Sequence, residues 1–310
     1  MQPERVAIVG AGAVGCYFGA ILARAGVPVT LIGRATHIDA IRRDGLFVER
    51  SDFQEYVRVD ADVSVSAVSD AAIVLLCVKT VDTETAAAAI APHLGRHALL
   101  VSLQNGVDNV ERIQHAAGIN AIPAVVYVAA AMSAPGRVKH SGRGDLIIGE
   151  LWSGTQRREN LERIARLFEG AQIPCRISDN IAGELWTKLV MNCAYNAISA
   201  VTQSRYLAIG KNPLIRRVVE ELVSEVVDVG SAAGVALPDR EQLTTAAFKL
   251  GDTMAEATSS TAQDLARGRP TEIDSLNGYV SRRGKELGIP TPVNSTLHAL
   301  VKLLEDSAKN

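Results

Sequence analysis

The stretch Arg5-Val6-Ala7-Ile8-Val9-Gly10-Ala11-Gly12-Ala13-Val14-Gly15 decides how the first half of this chain folds. The short run of β-branched and small apolar residues fits a buried strand. It meets a glycine-rich turn, and Tyr17 to Ala25 then keeps helical character until Gly26. The order is therefore strand, turn, helix. Gly10, Gly12 and Gly15 have the G-x-G-x-x-G spacing: Gly10 allows the tight turn, Gly12 lets backbone approach a pyrophosphate, and Gly15 lets helix and strand pack closely. Ala11, Ala13 and Val14 complete the turn, and the helix N-terminus presents N–H groups to phosphates. A structural turn, or the nucleotide site of a flavoprotein or methyltransferase, shares this spacing. The second strand that follows, Pro28-Val29-Thr30-Leu31-Ile32, favours dinucleotide binding.

The residue after that second strand selects the dinucleotide. An Asp or Glu there bonds a ribose 2′-hydroxyl, whereas this chain has Gly33-Arg34, and arginine suits a 2′-phosphate. The reading is NADPH/NADP+ rather than NAD, with Arg42 and Arg43 as alternative phosphate partners and a solvated Arg34 as the bland case. Asp39 lies too far along to be the ribose acid.

Two further apolar runs, Ala72 to Val78 and Ala98 to Leu103, have the length and content of buried parallel strands. They end at Lys79-Thr80 and at Gln104-Asn105-Gly106. Ligands in open α/β sheets bind beyond the carboxyl ends of strands, which locates Lys79 and Asn105 near the cofactor; a solvated lysine and an Asn-Gly turn are the alternatives. Stretches 121–130, 136–140 and 146–149 read as strands joined by Gly/Pro turns, an antiparallel extension of the sheet. A helix over 156–170 and a strand over 175–177 close this domain, with Ser178-Asp179-Asn180 as helix cap and boundary. The expected fold class is an α/β Rossmann dinucleotide-binding domain (1–178) followed by an all-α helical domain (179–310), with helical blocks over 213–234, 239–258, 271–288 and 292–307.

The most informative part of the second half is Glu184-Leu185-Trp186-Thr187-Lys188-Leu189-Val190-Met191-Asn192-Cys193-Ala194-Tyr195-Asn196. Each step of four residues rotates about 40° around a helix, so Glu184, Lys188, Asn192 and Asn196 form one narrow stripe on a helix that is otherwise apolar. Such a helix is buried, and its polar groups need partners. A substrate is one candidate; an exposed Glu184–Lys188 pair is the plain alternative for the lysine. Ser260 with Gln263 fits a capping box, yet hydroxyls at a helix start also receive carboxylates. Glu272 and Asp274 stand at another expected helix start, where the dipole alone favours acids.

The whole chain narrows the functional classes. Its 310 residues with 47% hydrophobic content support a large core and two domains. A net charge of −2 argues against nucleic-acid and anionic-membrane partners. The four cysteines lack metal-ligand spacing, so no metal site is expected and free buried thiols suit a reducing compartment. No uncharged run reaches the ~18 residues of a membrane span and no charged leader precedes the first apolar run; a soluble, cytoplasmic protein is expected. An apolar helical domain often supports a homodimer.

Taken together, the chain resembles the ketopantoate reductase (2-dehydropantoate 2-reductase) family over nearly its whole length. The resemblance rests on Gly10 to Gly15, Lys79, Asn105-Gly106, Glu184 to Asn192 with Asn196, Ser259-Ser260 before Gln263-Asp264, and Thr271-Glu272-Ile273-Asp274-Ser275-Leu276-Asn277-Gly278. It implies NADPH-dependent reduction of 2-dehydropantoate to (R)-pantoate, a step toward pantothenate and coenzyme A. By similarity Lys188 is the general acid, Asn192 and Asn196 contact substrate hydroxyls, and Ser260 contacts the substrate carboxylate. Glu272 partners the cofactor ribose and the lysine, Arg34 and Lys79 match 2′-phosphate contacts, and Asn105 lies between cofactor and substrate. The chain departs from the family at Ala257, Thr261-Ala262 and Arg205-Tyr206, which is the pattern of a roomier pocket or of a paralogue acting on another 2-oxo acid. A nucleotide-sensing module without catalysis is the remaining alternative, and it predicts a dispensable Lys188.

Overall fold

The structure, a computed structural model, describes residues 4–151 and 155–307. It divides into two compact units, Met1–Ile181 and Ala182–Asn310.

In the first unit, β1 (Val6–Val9), α1 (Ala13–Arg24), β2 (Val29–Ile32), α2 (Ala35–Asp44), β3 (Leu46–Glu49), β4 (Gln54–Val57) and β5 (Asp60–Asp62) come first. They are followed by β6 (Ile73–Leu76), α3 (Thr83–Ile90), β7 (Leu99–Ser102), α4 (Asn109–Ala117), β8 (Ile122–Ala134), β9 (Arg137–Gly149), α5 (Thr155–Gly170) and β10 (Cys175–Ser178). The sheet order is β4-β3-β9-β8-β7-β6-β1-β2-β5, with β10 paired to β9. Strands β7, β6, β1, β2 and β5 run parallel, with Val6 opposite both Val29 and Ile73. Side chains alternate along β1: Val6 and Ile8 join a core with Phe18, Ile41 and Phe168, while Ala7 and Val9 join another with Ala87, Ile90 and Ile113. Burial on both faces is why these strands read as unbroken apolar runs. This is the Rossmann-like arrangement.

The antiparallel extension differs from its expected form. Two short strands were expected over 136–140 and 146–149; the structure joins them into the single strand β9, paired with β8 through register shifts at Tyr127/Val128, Ala129/Ala130 and Met132/Ala134. Bulges absorb the residues that read as a turn. Gly144 sits at φ +136, and a side chain there would overlap the Tyr17 hydroxyl.

In the second unit the chain is helical from α6 (Ile181–Thr202) through α7 (Tyr206–Lys211), α8 (Pro213–Ala232), α9 (Arg240–Thr253), α10 (Ser260–Ala266), α11 (Asn277–Leu287) and α12 (Pro292–Ser307). Several caps match the sequence: Asn212 accepts from Leu214 and Ile215, and Asp239 from Gln242. The blocks expected over 239–258 and 271–288 are shorter. The first stops at Thr253, because Ala255 and Ala257 accept backbone hydrogen bonds from Leu207 and Tyr206. The second begins at Asn277, after a 3₁₀ turn over Ile273–Ser275. No helix among the described residues is long and apolar enough to cross a membrane.

Candidate functional site

Each unit carries one set of the residues singled out by sequence. In the first, Gly10 stands at the end of β1 with φ +115, and a Cβ there would lie 2.6 Å from the Cys77 carbonyl carbon and 2.7 Å from Val78 N. Only glycine lets the turn touch the neighbouring strand end. A methyl at Gly15 would overlap the Gly10 carbonyl oxygen and come within 3.0 Å of Ile8, so that glycine brings α1 onto β1. Gly12 is different: a Cβ there meets nothing within 4 Å. It is the N-cap of α1, with no side-chain cap and no acid in the first turn. The helix N-terminus at Gly12 thus has open space beside it and no side-chain cap, which fits a pyrophosphate.

Arg34 is the N-cap of α2, directly beyond β2, and is exposed. The two alternative arginines are engaged elsewhere: Arg42 bonds the Ala61 carbonyl at 2.8 Å and pairs with Asp62 at 3.4 Å, and Arg43 pairs with Asp44 at 2.6 Å. Arg34 makes no such ion pair among the described residues.

Lys79 follows β6 at the start of a 3₁₀ turn over Thr80–Asp82, and Asn105 follows β7; both are half-buried. Sequence reading missed the polar groups between them. Gln104 Nε2 donates to the Val78 carbonyl (3.1 Å) and to the Thr83 hydroxyl (2.7 Å), while its Oε1 accepts from Ser102 (3.0 Å). Thr80 Oγ1 and Asn109 Nδ2 both donate to the Asn105 carbonyl, at 2.9 and 2.6 Å. The signal present in the sequence was polar residues crowding two adjacent strand ends. Their pairing across two loops is a tertiary fact.

In the second unit, Glu184, Lys188 and Asn192 are half-buried along α6, and Asn196 is 4% exposed. Much of the remaining helix surface is core, including Leu185, Trp186, Leu189, Val190 and Cys193. Neighbouring elements hold the α6 backbone and its other faces. Asn277 Nδ2 lies 3.5 Å from the Cys193 carbonyl and donates to Asn294 Oδ1 at 3.0 Å, and Glu225 accepts from Asn294 Nδ2 and from two backbone N–H groups at the start of α12. The Tyr195 hydroxyl donates to the Ala247 carbonyl at 2.9 Å.

The cap sits one residue earlier than the expected capping box, which does not form because its third position is Ala262. Ser259, not Ser260, caps α10: its Oγ accepts from Ala262 N at 3.0 Å and donates to the Asn196 carbonyl at 3.1 Å, while its N–H donates to Ser199. These bonds to α6 set the register, and Gln263 still folds back onto the Thr258 carbonyl at 3.2 Å. Ser260 is left as the exposed first residue of α10. Thr261 and Ala262 are buried, Ala262 in a cluster with Ala197, Ala200 and Val301. Their small size brings α10 against α6 and does not by itself open a pocket.

Glu272 is half-buried at the start of the 3₁₀ turn over Ile273–Ser275. The acid beside it, Asp274, was expected to serve a helix dipole; instead it binds His298 Nε2 at 2.6 Å and Lys302 Nζ at 2.9 Å. The hydrogen bond from His298, with that from Lys302, holds its carboxyl well below the usual range. Thr271 N donates to Glu305 at 2.7 Å, so α12 anchors the segment that carries Glu272 on both sides. Arg205 pairs with Glu256, and the Tyr206 hydroxyl lies 3.4 Å from Asn196 Oδ1. The departures at 205–206 thus fasten the strip before Ser260 and reach the polar stripe. All four cysteines are free, and burial pushes Cys16 up to about 12.

Residues 6–152 match the family described as Ketopantoate reductase PanE/ApbA, and residues 180–305 match Ketopantoate reductase PanE/ApbA C terminal. A 2-dehydropantoate 2-reductase of Pyrococcus abyssi is 32% identical over 96% of this chain and 97% of its own. A solved PanE/ApbA family ketopantoate reductase from Ralstonia eutropha JMP134 is 46% identical, with a TM-score of 0.92 over 99% of this chain and 100% of that one. D-mandelate dehydrogenase, solved with NADH and anilino(oxo)acetate, is 27% identical with a TM-score of 0.92 over the same shares, 99% and 100%.

Proposed function

This chain belongs to the ketopantoate reductase family and is a dinucleotide-dependent oxidoreductase, and from that premise we propose that it reduces 2-dehydropantoate to (R)-pantoate with NADPH, toward pantothenate and coenzyme A. What carries the reading is α6, where a lysine and two asparagines share one stripe of a helix that is otherwise mostly core. The glycine turn and the uncapped start of α1 fit the dinucleotide, and the exposed Arg34, with no acid at the end of β2, supports a 2′-phosphate.

A bound reduced nicotinamide supplies a hydride to the carbonyl carbon of the 2-oxo acid. Negative charge then collects on the carbonyl oxygen. Lys188 stabilises that charge through its ammonium and gives up a proton from Nζ to form the alcohol. Asn192 and Asn196, one and two turns further along α6, hold the substrate hydroxyl, and Ser260 binds the carboxylate. Lys79 and Arg34 bind the 2′-phosphate, Asn105 orients the reacting groups, and Glu272 aligns the lysine and the ribose.

A second reading, reduction of another 2-oxo acid, is favoured by Tyr206 beside Asn196 and by the fold likeness to D-mandelate dehydrogenase. One assay separates the readings: NADPH absorbance is followed with 2-dehydropantoate and a panel of 2-oxo acids. Turnover of 2-dehydropantoate well above the panel is the expected result. Preference for a panel acid replaces the substrate, and no turnover of any acid sinks both readings.

A further inference from the structure

The buried polar groups between β6 and β7 have no part in the proposed chemistry, yet they are joined to both loops that carry Lys79 and Asn105. Gln104 is 5% exposed and Thr83 is fully buried. Both Gln104 amide hydrogens are used, on Val78 O and Thr83 Oγ1, and its oxygen accepts from Ser102. The Thr83 hydroxyl accepts from Gln104 and has two acceptors for its one proton, Thr80 O at 2.8 Å and Asn109 Oδ1 at 3.1 Å. Asn109 and Thr80 close the circuit on the Asn105 carbonyl.

Val78 is the hinge of this arrangement. Its N–H side lies against the Cα of Gly10, where a Cβ would intrude at 2.7 Å, and its carbonyl is held by Gln104. Val78 therefore sits between two contacts: the Cys77–Val78 peptide lies against Gly10 in the glycine turn, and the Val78–Lys79 peptide is bonded from the end of β7 by Gln104. The carbonyl of Asn105, with two donors, has both lone pairs occupied. In a buried network of this kind, loss of one member leaves its partners without a bond.

We propose that Gln104, Thr83, Thr80 and Asn109 form a positioning clamp for the dinucleotide, which sets the backbone at Lys79 and Asn105 without touching the ligand. The proposal rests on the dinucleotide reading above. None of the four is a catalytic residue; each acts through the loop it holds.

The test is direct titration of NADPH into the purified chain by fluorescence, with far-UV circular dichroism and urea midpoints measured alongside. Thr83→Val keeps the shape of the side chain and removes the hydroxyl; it is expected to raise the NADPH Kd about tenfold, with kcat at saturating NADPH changed less than about threefold. Thr83→Ser restores the hydroxyl and is expected to bind within about twofold of wild type. A Thr83→Val protein that binds NADPH as tightly as wild type overturns the clamp, as does a Thr83→Ser protein as weak as Thr83→Val. If Thr83→Val does not fold, Ser102→Ala removes only the bond to Gln104 Oε1: a raised Kd supports the clamp and an unchanged one overturns it. A wild type that binds no dinucleotide overturns the functional reading and the clamp together.

Discussion

The loops after β6 and β7 and the stripe of α6 both set polar groups among apolar ones, but they satisfy them differently. In the loops, Gln104, Thr83, Thr80 and Asn109 bond to one another and to loop backbone, and the circuit closes on itself across the two loops. Along α6, the surrounding bundle engages the helix backbone at the carbonyls of Cys193 and Asn196, and the Tyr206 hydroxyl reaches Asn196 Oδ1. Lys188 and Asn192 are only partly buried. A closed circuit positions a loop; a half-buried stripe on a fixed helix is suited to receive something. On the readings proposed above, the first serves geometry and the second chemistry.

That division is broken most easily at Lys188. Lys188→Ala is expected to lower kcat by about 10²–10⁴ while the NADPH Kd stays within about twofold; unchanged turnover would remove the acid assignment, and an equal loss of NADPH binding would blur the division. Next comes Arg34→Ala, expected to weaken NADPH about 10–100-fold and NADH less than about threefold, read by parallel titrations. Equal losses for the two cofactors contradict the phosphate contact.

The glycine turn offers a sharper internal contrast. Gly15→Ala forces a methyl against the Gly10 carbonyl and is expected to cost about 1–3 kcal/mol in urea unfolding. Gly12→Ala meets no protein atom within 4 Å and φ there is −89°, so stability should hold while dinucleotide binding weakens. If both substitutions destabilise equally, Gly12 is structural.

The smallest effect is expected at Asp274, whose side chain is 43% exposed. Its carboxyl is held below the usual range by His298 and Lys302. A depressed folded value means that its contribution is fully present above the unfolded value of about 4 and is lost as pH falls through the folded one. After allowance for solvent screening, Asp274→Asn should cost about 1 kcal/mol at neutral pH, and the difference from wild type should vanish in strong acid. A constant difference across pH would assign the effect to packing.

Much of this was legible in the order of residues. The strand, turn and helix at 6–24, the helical second half and the spacing of Lys188, Asn192 and Asn196 follow from periodicity, because buried elements repeat at fixed intervals. The joining of 137–149 into one strand was not legible, since its bulges depend on the partner β8 and its glycines read as turns. Nor was the shift of the cap from Ser260 to Ser259, which two bonds to α6 decide. Ala262 likewise read as a pocket position, and only its neighbours Ala197 and Ala200 identify it as packing.

The sequence by itself determined the dinucleotide turn, the polar stripe and the two-part organisation, because each depends on residues close together along the chain. Tertiary structure alone decided that Arg42 is bonded to Ala61, which serine caps α10, and that Gln104 and Thr83 join two loops. Those facts depend on hydrogen bonds between residues about twenty to sixty positions apart. A donor's partner over such distances is set by how the chain packs and not by its neighbours in sequence.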